Sequence, residues 1–195
     1  MKTNIKSTYF NDEYLISIAI RLLNEAKETG EGEQFKKIIP AMAFSCFALE
    51  SKLNSCGNSV FSGQELKKFS NSQLIGKTDW LLTRIGAETD HEVIKGMRES
   101  IVEMISFRNA VAHSKPISFE EERELIGREK IDSRFILPSR SPDDFMCNYS
   151  IEKAEEFYNT RSQFTLVWLH YSKLYFKKIG KSPDYHIPKA RIVEK

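Results

Sequence analysis

Apolar residues return at three- and four-residue steps through most of this chain, a spacing that buries one side of a helix and fits no other regular element. Leu15, Ile18, Ala19, Leu22, Leu23 and Ala26 share one such face before Gly30-Glu31-Gly32 breaks the helix. In a longer second helix, Phe35, Ile39, Met42, Cys46, Leu49 and Leu53 alternate steps of four and three. Pro40 is predicted to kink it and Gly57 to cap it. Ser62 with Glu65, Thr89 with Glu92 and Ser118 with Glu121 have the capping-box spacing of helix starts. The Thr89 start leads into Ile94, Met97, Ile101, Met104, Ile105 and Val111, and that helix must end before Pro116. The last helix opens near Ser150 and carries Phe157, Phe164, Trp168, Tyr171 and Tyr175 on one face, until Gly180 and Pro183 stop it. That stripe reads as core or dimer interface rather than as a platform for stacking bases. There is no internal repeat and no convincing strand pattern.

These elements predict an all-α, up-and-down helical bundle. With 195 residues and 41% apolar content the chain can bury one sizeable core, so residues 1–182 are expected to form a single helical domain. Between about residues 127 and 149 the periodicity dissolves into a long loop inserted before the last helix, carrying Arg128, Lys130, Arg134 and Arg140. Residues 183–195 form a basic C-terminal tail. A net charge of +2 is too small for bulk electrostatics to capture nucleic acid or a membrane, so an anionic partner must meet a local patch. Cys46, Cys56 and Cys147 are odd in number and lack metal-ligand or redox spacing, which points to a reducing cytoplasm and to no metal or other cofactor. No segment is apolar for long enough to cross a bilayer. Tyr14 to Ile20, flanked by Asp12, Glu13 and Arg21, reads as amphipathic helix rather than as a signal segment.

The chemistry concentrates near the end of the helix that starts at Thr89. At about 100° per residue, Arg108 falls on the face of Ile94, Ile101, Ile105 and Ala112, a guanidinium on an apolar seam. Such a charge needs a carboxylate, a phosphate or water to receive it, and Glu50, beside Leu49 on the second helix, is the internal candidate. Asn109 and His113 are four residues apart and stack as neighbours. His113 also lies at the helix end, where the dipole favours an imidazolium, while Lys115 opposes that charge. His91 and His170 read as structural.

The segment Arg108-Asn109-Ala110-Val111-Ala112-His113 resembles the signature of the HEPN superfamily: arginine, a polar residue, a short spacer, then histidine, on a late helix of an all-α bundle. The resemblance implies a HEPN-like domain that forms a homodimer. It further implies a metal-independent endoribonuclease acting on RNA in toxin-antitoxin, phage-defence or RNA-processing systems, with a composite active site at the dimer interface. Carried over, it makes His113 the general acid or base on the ribose 2′-hydroxyl or leaving oxygen. Arg108 binds the scissile phosphate, and Asn109 orients the phosphate or the histidine. Lys115 stands where HEPN toxins paired with nucleotidyltransferase antitoxins carry a tyrosine, so control through such a tyrosine is not expected, though another antitoxin or protein partner is. Two other readings stay open: a non-catalytic HEPN-like module binding RNA, a nucleotide or a protein partner, and a helical interaction protein in which Arg108 is only a structural ion pair.

Overall fold

A computed structural model of the chain describes residues 4–8, 11–112, 149–181 and 189–193, together with Glu122, Glu124 and Gly127. Six helices carry the described fold: α1 (Asp12–Glu28), α2 (Glu31–Val60), α3 (Gly63–Ser70), α4 (Leu74–Ile85), α5 (Glu92–Ala112) and α6 (Ile151–Lys178). The all-α class is therefore as the periodicity predicts. Two short strands, β1 (Asn4–Thr8) and β2 (Lys189–Val193), pair antiparallel with Ile5 opposite Ile192. The sequence reading contained no strand. Each segment is only five residues long, and no local turn joins them, so neither a hairpin signal nor a sustained alternation marks them. Part of the stretch read as a basic tail thus returns to the start of the chain.

The long helix α2 packs against each of the other five helices. Its hairpin with α1 is antiparallel: Lys37 Nζ pairs with Glu25 Oε2 at 2.6 Å near the turn, and the Asn11 amide donates to Ser51 Oγ at the far end. Along the interior of α2, Met42, Cys46, Leu49 and Leu53 of the predicted stripe are buried, with Cys56 beyond them, whereas Phe35 and Ile39 are half-buried and Ile38 takes the core position at that end. The buried residues meet Leu81 and Leu82 from α4, Met97, Ile101 and Met104 from α5, and Phe157, Phe164 and Trp168 from α6 in one core cluster. Phe157, Phe164 and Trp168 of the α6 stripe are therefore core, each contributing about 1.5–3 kcal/mol, while Tyr171 and Tyr175 pack half-buried against it.

Local signals account for both ends of α6, whereas Ser62, at the start of α3, makes no side-chain capping hydrogen bond. Ser150 caps α6 by accepting from the Lys153 amide, and beyond its end Gly180, at φ 66°, lets the Lys181 amide turn back to the Phe176 carbonyl. Two expectations fail. Gly57 does not end α2, which runs on to Val60; it leaves room for the buried ring of Phe69 instead. Helix α5 starts at Glu92 rather than from a Thr89 cap, because His91 Nδ1 accepts from the Val93 amide while the His91 carbonyl takes the Ile94 and Lys95 amides. The helix start read at Ser118 and most of the loop read between residues 127 and 149 lie outside the described residues.

Candidate functional site

Helix α5 buries Ile94, Met97, Ile101, Met104 and Phe107. Phe107, which the sequence reading left out, takes the last core position and meets Phe157 and Tyr149 edge to face, with ring centroids 5.6 and 5.0 Å away. The next residue, Arg108, lies in the last turn of α5, where Asn109, Val111 and Ala112 are exposed. It keeps the phase of the seam, but 42% of its side chain is exposed. By phase it falls midway between Met97 and Ile101, about 20° from each, so its exposure comes from its position along the helix and not around it. Asn109 is exposed, and Ala110 is half-buried. His113 follows the final residue of α5 and lies outside the described residues, so of the predicted trio the structure describes Arg108 and Asn109.

The carboxylate partner is the one expected. Arg108 Nη1 donates to Glu50 Oε2 at 2.7 Å. The other oxygen is also taken, because Lys77 Nζ donates to Glu50 Oε1 at 3.2 Å. Lys77 comes from the interior face of α4, and its side chain is only 4% exposed, against 32% for Glu50. One carboxylate thus sits between a buried ammonium and a half-open guanidinium, leaving one surplus positive charge. One turn along α2, Asn54 Oδ1 is buried with no hydrogen-bond partner among the described residues.

Beneath Arg108 the floor is apolar and chemically quiet. Cys46 is one turn before Glu50 on α2, and its Sγ lies 3.7 Å from the Met104 carbonyl oxygen. Burial pushes its thiol up to about 12, against the opposing pull of Arg108. It is therefore no nucleophile at neutral pH. Burial also raises the Tyr149 phenol. Among the described residues, no group of three or more His, Cys, Asp or Glu side chains is placed to hold a metal ion. An anion reaching Arg108 would meet a cation with a compensated carboxylate behind it.

A second ionic cluster was missed in the sequence. Arg161 Nη2 donates to Asp12 Oδ2 at 3.0 Å and to Glu13 Oε1 at 2.5 Å, and Lys52 Nζ lies 3.4 Å from Asp12 Oδ2. Asp12, Lys52 and Arg161 are all buried. The signal was present in the spacing: Arg161 interrupts the stripe between Phe157 and Phe164, and Lys77 interrupts the one between Leu74 and Leu81, as Arg108 interrupts that of α5. Unlike Arg108, Arg161 faces inward with little exposure. No helix among the described residues is long and apolar enough to cross a membrane. No protein-family model, curated protein or solved structure matches the chain.

Proposed function

We propose that the protein is a metal-independent endoribonuclease of HEPN type, with a composite active site formed in a homodimer and a role in toxin, phage-defence or RNA-processing chemistry. The observation supporting this reading is the exposure of Arg108: a guanidinium at the end of α5, half open to solvent, immediately beside exposed Asn109 and five residues before His113. A guanidinium so placed can grip a phosphodiester and its developing charge. His113 would move the proton of the 2′-hydroxyl or the leaving oxygen, and Asn109 would orient the phosphate. Cleavage through a 2′,3′-cyclic phosphate needs those functions and no metal.

The test is cleavage of a mixed-sequence RNA in the presence of a chelator by the wild-type protein and by His113→Ala. Loss of cleavage with unchanged helicity and dimer mass supports the reading, and equal cleavage by the two proteins refutes it. The existing pair between Arg108 and Glu50 favours a second reading, a non-catalytic HEPN-like module that binds RNA, a nucleotide or a protein partner. That reading expects binding without turnover and indifference to His113→Ala.

A further inference from the structure

Glu50 has one carboxylate oxygen for each of two cations, and the two differ in their freedom to leave. Lys77 is sealed: pulled away from Glu50, its ammonium would stand buried without a counter-charge, which is strongly destabilising. Arg108 is half exposed, so its head group can pass from carboxylate to water or to an incoming anion, and an ion pair of such exposure is worth little. The carboxylate, for its part, would repel any phosphate approaching Arg108 if no second cation stayed on it when Arg108 left.

We propose that Lys77 is a positioning residue that makes Arg108 exchangeable: it keeps Glu50 neutralised, so that Arg108 can leave the carboxylate and take an RNA phosphate. In the ligand-free protein Glu50 parks the guanidinium at the rim of the site. On binding, the phosphate replaces Glu50 as the partner of Arg108, while Lys77 remains on Glu50. Lys77 never touches RNA. No bond is made or broken in the exchange, which moves one hydrogen-bonding partner and conserves charge. The inference rests on reading Arg108 as the phosphate-binding group.

Two readouts separate the inference from that reading. The first is the rate at which phenylglyoxal modifies Arg108, followed by peptide mass mapping, which reports how firmly the guanidinium is held and involves no RNA. The second is the affinity for a short fluorescein-labelled single-stranded RNA, measured in a His113→Ala background to prevent turnover. In Lys77→Met, Glu50 has only Arg108 left among the described residues, so modification of Arg108 should slow and RNA binding should weaken, each by roughly fivefold. In the double variant Glu50→Gln with Lys77→Met, the carboxylate and the buried ammonium are removed together, so neither is left without its partner, which guards against misfolding, and both quantities should rise above wild type. A modification rate that is the same in all three proteins overturns the proposal and leaves Lys77 a structural counter-ion. If the modification rates shift as expected while wild-type protein fails to bind RNA, the exchange stands and the phosphate-binding reading of Arg108 falls.

Discussion

Arg161 and Asp12 form the sealed counterpart of the open pair at Arg108: Nη2 and Oδ2 lie 3.0 Å apart, with side-chain exposures of 9% and 4%. Both arginines occur in helices with apolar faces, and both meet a carboxylate from another helix. The distinction is solvent. A guanidinium closed in on all sides fixes how α1 docks against α6, whereas one at a rim remains available to a ligand. The two sites should therefore respond to substitution in opposite ways.

Removing Asp12 leaves Lys52 and Arg161 buried without their shared carboxylate. Glu13 can compensate only in part, since it is largely exposed. Asp12→Ala should lower the unfolding free energy by about 3–5 kcal/mol, read from the urea midpoint at constant slope. A loss below about 1 kcal/mol, the range of exposed pairs, would mean that the cluster is solvated.

Arg108→Ala should do the reverse. Its pair with Glu50 is partly solvated and Lys77 stays on the carboxylate, so the stability change should be at most about 1 kcal/mol. If the protein is the ribonuclease proposed above, RNA cleavage should fall about 10²–10³-fold, the usual consequence of removing a donor aimed at developing anionic charge. Urea titration and single-turnover cleavage, run on the same preparation, measure both. A variant that is severely destabilised yet fully active when folded would reassign Arg108 to structure.

The helices were legible because burial and periodicity are the same fact seen twice: Leu23, Met42, Leu49, Ile101 and Phe164 occupy the positions their spacing predicts. The ribbon of β1 with β2 was not, since pairing between opposite ends of a chain leaves no local mark. At the site, Glu50 was found as the carboxylate for Arg108 because it adjoins Leu49 on α2. The exposure of Arg108 was missed because helical phase says which side of a helix is buried but not how far along it the packing continues, and in the last turn of α5 Val111 and Ala112 are exposed as well. Lys77 and Arg161 were missed for a different reason: lysine and arginine on amphipathic helices usually extend their heads to water, and only the packing of α4 and α6 prevents it here.

Cys46 and Cys56 should resist alkylation. Both are buried, burial raises both thiols, and that of Cys46 reaches about 12. The sign follows directly: the fold favours the neutral thiols, so it loses stability only as pH rises past the ordinary thiol value of about 8.5, where the unfolded chain begins to ionise. Iodoacetamide at pH 8 should leave both residues unmodified in folded protein and modify both in urea, with peptide mapping to locate the adducts. Rapid labelling of Cys46 in the folded state would show that the floor beneath Arg108 opens.

Gly57→Ala should destabilise the protein, although the same change inside an exposed helix stabilises by about 0.8–1 kcal/mol. A Cβ on residue 57 would run into the ring of Phe69 rather than into a flexible chain end. That ring is fully buried and boxed in by Phe61, at a centroid distance of 4.9 Å, and by Trp80, at 6.5 Å, so it has little room to yield. Overpacking of this kind costs about 1–3 kcal/mol, enough to outweigh the helical gain. If the clash is the cause, Phe69→Leu in the same chain should recover part of the loss, and the two changes together should cost less than the sum of each alone. Urea midpoints of the four proteins give that coupling directly. Strict additivity would show that Gly57 is held by backbone conformation and not by the space it leaves for Phe69.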